Sequence, residues 1–243
     1  MRVHLPLLNN LVAIEVAKRH GMSVELNFDT RKLGTSKEEV LAVRDAGRGI
    51  AKSVHGPFMD LNPGALDQGV RELTLDRLGW AIETATLLEV DDLIIHDGYI
   101  PLIYGYPSLK GGWLQRASEL LVEISKMGRD RGVRVLLENM FTDDPLMIKA
   151  LAEEAGLNVC LDVGHIPFSS NIAVEEWVNV LHPLIKEVHV HDNDGASDEH
   201  LALGAGTIKF DPVISLISMF TLELGSEADL EASIDYMRER GWI

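Results

Sequence analysis

Three features of this 243-residue chain predict an α/β fold, a single-domain (β/α)8 TIM barrel over residues 1–243. Short β-forming runs alternate with amphipathic helical stretches from end to end, and that alternation implies parallel strands joined by helical crossovers. Eight such pairs fit into about 250 residues, the usual size of a closed eight-unit barrel. No repeat of fixed sequence and no low-complexity linker divides the chain further.

The strands are expected at 3–7, 23–28, 52–56, 92–96, 133–138, 158–163, 185–191 and 219–224. Helices are expected between and after them at 10–20, 36–50, 67–88, 113–131, 144–154, 173–181, 211–217 and 226–240. Gly21, Gly132 and Gly156 fall where helix C-caps belong, and Ser36 and Ser226 where N-caps belong.

Composition bounds the function. With 46% hydrophobic and 25% charged residues the chain reads as an ordinary globular protein with a sizeable core. No stretch approaches the ~20 apolar residues that cross a bilayer, and the start Met1-Arg2-Val3-His4 lacks a signal peptide's apolar run, so a cytoplasmic location is expected. Cys160 is the single cysteine, which excludes an internal disulfide and reads as a small buried hydrophobe. Twenty-two Lys and Arg against 38 Asp and Glu give a formal charge of −16, which repels nucleic acid and anionic membrane alike.

Strand seven and the loop after it carry the strongest chemical signal, in the run from Val188 to Phe210. Period-2 alternation puts His189 and His191 on one face of the strand, Asp192 to Gly195 are turn formers, and Asp198 and His200 follow as a D-x-H pair. A polar surface loop explains any one of these residues but not the cluster, because imidazole beside carboxylate suits a divalent transition metal. In a barrel, function gathers at the C-terminal ends of the strands. Those ends read His55 on strand three, His96 on four, Glu138 on five, Asp162 with His165 just beyond on six, His189 on seven and Glu223 on eight.

These residues, in SVHGPF, LIIHDG, VLLEN, CLDVGH, HVHDND, DEHLALGAG and TLE, resemble the xylose-isomerase-like barrel superfamily of sugar isomerases and epimerases, inosose dehydratases and endonuclease IV-type apurinic endonucleases. The resemblance spans nearly the whole chain. In the isomerase branch it implies one divalent ion, zinc, manganese or cobalt, held by Glu138, Asp162, His189 and Glu223. It implies a metal-stabilised enediolate, with Glu138 and Glu223 moving protons and His165 hydrogen-bonding a substrate oxygen or holding a second ion. In the endonuclease branch it implies up to three zinc ions, with His55, His96, His165, Asp198 and His200 as added ligands. The endonuclease pattern has tyrosine at Phe58, HPG at His96-Asp97-Gly98 and HLNDS at His189 to Asn193. With those departures and the acidic charge, the expected substrate is a small sugar, sugar phosphate or inosose, with abasic DNA as the alternative. Self-association is left open.

The segment 97–113 reads as a long loop carrying Tyr99, Tyr104, Tyr106 and Trp113, either a lid that stacks on a sugar or a loop packed on its own aromatics or at a subunit contact. Lys110 and Arg31 are candidates to meet a substrate phosphate, though a solvated role suits both. Glu25 and Asn27 share a face of strand two and point toward the pocket by periodicity.

Overall fold

A computed structural model, which describes residues 1–243, closes eight parallel strands into one barrel in sequence order. The strands are β1 (Arg2–His4), β2 (Ser23–Asn27), β3 (Ala51–His55), β4 (Asp92–His96), β5 (Arg134–Glu138), β6 (Asn158–Asp162), β7 (Ile185–Val190) and β8 (Phe220–Glu223). Around them lie α1 (Asn10–Arg19), α2 (Lys37–Gly47), α3 (Gln68–Leu88), α4 (Pro101–Tyr104), α5 (Pro107–Asp130), α6 (Pro145–Ala155), α7 (Ile166–Ser169), α8 (Val174–Leu181) and α9 (Glu227–Glu239). No helix is long and apolar enough to cross a membrane.

Strand faces sort by period two. Residues such as Val3, Val24, Leu26, Leu93, Val135, Leu161, Val188 and Leu222 turn outward and are buried under the helices in one continuous apolar layer. The inward residues divide. On β4 to β6, Ile94, Leu136 and Cys160 make a small apolar plug, in which Cys160 is fully buried. On β1 to β3, β7 and β8 the same layer is polar, with Glu25, Ser53, Glu187 and Thr221 all buried.

Local chemistry explains most helix ends. Ser36 accepts the N–H of Glu39 while Glu39 accepts that of Ser36, a capping box, and Ser226 accepts the N–H of Asp229. Gly156 ends α6 with φ +64°, a conformation that costs glycine nothing. Two expectations need correction. The helix expected at 211–217 is a 3-10 helix, Asp211–Met219, whose buried residues Val213 and Leu216 are spaced by its three residues per turn. The helix expected at 113–131 starts at Pro107, and Pro101 opens the separate turn α4. Each proline sits in a first helical turn, where its missing N–H costs nothing, so these prolines begin helices rather than mark loop.

Candidate metal centre at the barrel mouth

Register places the strand-end residues side by side. His4 pairs with Glu223, Asn27 with His55, His96 with Glu138, and Asp162 with His189. All nine residues singled out in the sequence come together there in three adjoining groups. In the first, His55 Nε2 and His96 Nε2 lie 3.2 Å apart and 3.2 and 3.4 Å from Glu138 Oε2. In the second, His189 Nδ1 lies 2.8 Å from Glu223 Oε2, 3.3 Å from Glu138 Oε1 and 3.8 Å from Asp162 Oδ2. In the third, Asp198 Oδ2 lies 3.5 Å from His165 Nε2 and 3.1 Å from His200 Nε2.

These spacings fit metal ions. Ligand bonds near 2.1 Å put the donors of a tetrahedral ion about 3.4 Å apart, close to the separations in each group. The donors also lack other partners: both oxygens of Glu138, Asp162 Oδ2, both nitrogens of His189 and Glu223 Oε2 are buried without a hydrogen bond. Leaving so many buried polar atoms unpaired costs roughly 1–3 kcal/mol each unless something joins them. Meanwhile the opposite nitrogens are tied down. His55 Nδ1 donates to the Gly56 carbonyl at 3.0 Å and His165 Nδ1 to the Asn139 carbonyl at 2.7 Å, which turns both Nε2 atoms toward the mouth.

Protons balance the charges of the protein's own groups. Burial opposes ionisation of Glu138 and Glu223, but the adjacent His189, with His96 beside Glu138 and His4 beside Glu223, holds both carboxyls well below their ordinary value. Burial likewise opposes charging of the imidazoles, yet Glu138 raises His55 to about 9, and Glu223 with Asp198 raises His200 to about 9. His96 goes the other way, lowered to about 4 by burial. The site is therefore a set of ionised carboxylates beside protonated His55 and His200 and a neutral His96, a distribution that a cation would replace.

Three further buried residues join the site, of which His4 alone was not read from the sequence. His4 has its Nδ1 3.0 Å from Glu25 Oε1 and 3.3 Å from Glu223 Oε1, and its ring stacks on His55. Glu25 reaches His189 Nε2 at 3.3 Å behind the second group, so the inward direction read for Glu25 and Asn27 holds. His191 sits against Asp162 and Asp198. The turn formers after it do more than turn: buried Asp192 accepts the N–H groups of Asn193, Gly204 and Ile208, and Asn193 Nδ2 donates to the Gly164 carbonyl, which fastens the 192–208 loop to the barrel rim.

Above the three groups opens a cavity of about 300 Å³, lined by His4, Asn27, Phe58, His165, His200 and Glu223 among others, with Asp29, Arg31 and Glu199 at its edge. Arg31 is committed to Asp29, its Nε donating at 2.9 Å, and Lys110 lies 3.5 Å from Asp143, so neither cation stands free for a phosphate. The aromatic segment is packed on itself. Tyr99, Tyr104 and Trp113 are buried, with the Tyr99 and Trp113 rings 4.9 Å apart, and only Tyr106 is exposed. A second, mostly apolar cavity of about 810 Å³ lies between that segment and Phe58, Met59 and Met140, which border both cavities.

Comparison with known proteins agrees with the fold. An uncharacterized protein of Methanocaldococcus jannaschii is 35% identical over 172 residues, 66% of this chain, and the match spans only 58% of that protein's length. A crystal structure of a D-tagatose 3-epimerase-like protein is 28% identical, with TM-score 0.80 over 98% of this chain and 95% of that one. A Thermus thermophilus protein soaked with ZnCl2 is 26% identical, with TM-score 0.83 over 98% and 96%. The family pattern of the xylose isomerase-like TIM barrel matches residues 14–240, and the chain belongs to that family.

Proposed function

We propose that this protein is a divalent-metal-dependent isomerase or epimerase of a small sugar, sugar phosphate or inosose. The observation that carries the reading is the placement of Glu138 and Glu223 oxygens at 3.3 and 2.8 Å from His189 Nδ1, beneath a cavity sized for one small polyhydroxylated molecule. The likeness to an epimerase-like protein supports it.

Glu138, Asp162, His189 and Glu223 would hold the ion, as zinc, manganese or cobalt. When bound, it supplies Lewis-acid polarisation of a carbonyl and the neighbouring hydroxyl, which acidifies the C–H between them. Proton movement then falls to the protein. Both glutamates are ionised at neutral pH, so each is able to accept a proton: one takes it from carbon while the bonding pair passes to the carbonyl oxygen, and the other, after taking a proton from solvent, returns it to carbon. Glu25 fixes the His189 ring from behind. His165 turns Nε2 into the cavity, to hydrogen-bond a substrate oxygen or to hold a second ion.

One observation favours a second reading. Three donor groups, rather than one, suit a zinc-dependent phosphodiesterase acting at abasic DNA. Asp198 and Glu199 beside the cavity and the net charge of −16 oppose it. Incubation of metal-loaded protein in D₂O with a panel of ketoses and inososes decides the matter. Deuterium should enter the carbon next to the carbonyl, and Glu138→Gln should stop it. Efficient incision of an abasic duplex, with binding that falls steeply as salt rises and no deuterium uptake, reverses the order of the two readings.

A further inference from the structure

The donor groups lie under only the smaller of the two cavities at the mouth. The larger encloses about 810 Å³ against about 300 Å³, and its lining is of a different kind. Leu61, Ala65, Leu66, Val70, Ile100 and Phe141 line it, and no lysine or arginine borders it. Two of its polar neighbours are committed elsewhere. Asn62 Oδ1 accepts from Trp113 Nε1 and from the N–H of Gly64, and Asp67 caps α3 by accepting the N–H of Gly69.

The walls are fixed in place. Gly98 holds a left-handed backbone, φ +68°, that brings it against the 61–63 segment, where a Cβ would lie 2.7 Å from Pro63 Cδ and 3.0 Å from the Leu61 carbonyl oxygen. Behind it Tyr99 and Tyr104 pack on Trp113, whose indole leaves no room for a Cβ on Gly64. The rim, in contrast, holds apolar side chains in water: Met59, Leu66 and Phe141 are 45%, 59% and 43% exposed. Surface of this kind gains by shedding its water onto an apolar partner. The two cavities are also continuous. Phe58, Met59, His96 and Met140 border both, and the His96 ring, whose Nε2 faces Glu138, stacks on Phe58 with centroids 4.4 Å apart. A molecule whose polar end lies over the donors therefore meets apolar wall at its other end.

We propose that the substrate is a sugar conjugate, with a polyhydroxylated, carbonyl-bearing head over the donor groups and an uncharged aryl or alkyl tail in the apolar cavity. The head rests on the isomerase or epimerase reading, and the tail on the cavity alone. Walls without a cation set aside a phosphate or carboxylate as the tail, because a buried anion needs a partner.

Matched compounds test this. Each ketose of the panel is compared with its 6-O-benzyl ether, which keeps the ketone and the neighbouring hydroxyl, by deuterium uptake on metal-loaded protein. The ether should have a kcat/KM roughly tenfold or more above its parent, through a lower KM. Leu66→Asp and Ile100→Asp should each abolish that preference, and the fold should tolerate both because these side chains are 59% and 38% exposed. Leu102→Asp, on the exposed face of α4 and outside both cavities, should keep it. Binding of octyl against methyl β-D-glucoside, below the micelle concentration, reads the tail without the chemistry, since neither offers a carbonyl. The octyl compound should bind roughly tenfold or more tightly, and the same two variants should lose the difference. Equal kcat/KM for ketose and ether, with equal binding of the two glucosides, overturns the proposal and leaves the isomerase reading intact. A glucoside preference with no deuterium uptake from any ketose or ether overturns the head and keeps the apolar subsite. Loss of the preference in Leu102→Asp together with dissociation of a dimer also overturns the proposal, and assigns the apolar face to a second copy of this chain.

Discussion

At the N-terminal floor of the barrel Arg2 donates to Glu187 and lies 3.4 Å from Asp92, Arg134 donates to Asp92 at 2.7 Å, and Thr221 donates to Glu187. At the mouth, two strand steps away, an equally buried set of carboxylates and imidazoles has oxygens and nitrogens that meet no hydrogen-bond partner. Both ends bury charge and both incur its desolvation cost, so burial alone does not mark a site. What separates them is closure. The floor's charges are answered by other residues of the chain and hold strands together; the mouth's donors face one another at ligand spacing. Unsatisfied polarity of this kind is the physical signature that distinguishes a site from a scaffold.

The sharpest way to break that distinction is to neutralise one carboxylate at each end. Glu138→Gln should lower activity on any accepted ketose or inosose by roughly a thousandfold or more, since it removes a donor and a proton acceptor together. Glu187→Gln should leave turnover within a few-fold, because its partners lie on the floor. Steady-state rates on the purified variants check this, and equal losses at both ends would erase the contrast.

Chelation acts on the mouth alone. Removing bound metal should lower the melting temperature by roughly 5–10 °C, taking about 2.7 kcal/mol for a ligand at a hundred times its Kd and ~2–4 °C per kcal/mol for a chain of this size. Restoring zinc, cobalt or manganese should recover more than magnesium does, because the donors include imidazoles. Glu187→Gln should show the same chelation shift as wild type. A melting series with no metal dependence would mean that the mouth, like the floor, is closed by hydrogen bonds.

The two ends should also respond to pH over different ranges. Burial, reinforced by nearby Glu25 and only partly offset by Arg2, raises the Glu187 carboxyl to about 7. A carboxyl whose folded value is raised gives stability that is present below its unfolded value near 4.5 and lost as pH climbs through 7. For His55 and His200, raised to about 9 in metal-free protein, the contribution is full below about 6.5 and lost as pH climbs through 9. Metal-free melting curves should therefore fall in two steps. Glu187→Gln should remove the lower step, and metal loading, which replaces the histidine protons, should remove the upper one.

The strand ends are legible in the sequence because each closes a short apolar run and period two fixes which side chain faces inward. The same rule reaches further than the nine residues singled out by it. Val3 and Leu5 are buried on the outer side, which turns His4 inward, and Glu187, His189 and His191 share one face of β7 and its extension, so a strict reading of alternation names all of them. What alternation does not carry is whether a buried charge is answered. Glu187 and Glu138 look alike in sequence; only the three-dimensional positions of Arg2 and Thr221 make the first structural. The segment 97–113 departs from expectation for a different reason, since Pro101 and Pro107 look like loop formers although each opens a helix.

That segment supplies the smallest and most discriminating effect. Trp113 is fully buried, borders neither cavity, and donates its indole N–H to Asn62 Oδ1 at 2.9 Å, an oxygen that also accepts the N–H of Gly64. Its polarity is answered, as on the floor. Trp113→Phe keeps an aromatic ring against Tyr99, leaves Asn62 its bond to Gly64, and loses one hydrogen bond and part of the packed volume, a cost of about 1–3 kcal/mol. Melting should drop by a few degrees, while KM and the rate of deuterium uptake stay at wild-type values, because a packed strut does not close over substrate. A raised KM with unchanged melting would instead make the segment a lid, moving these aromatics from the satisfied scaffold to the working mouth.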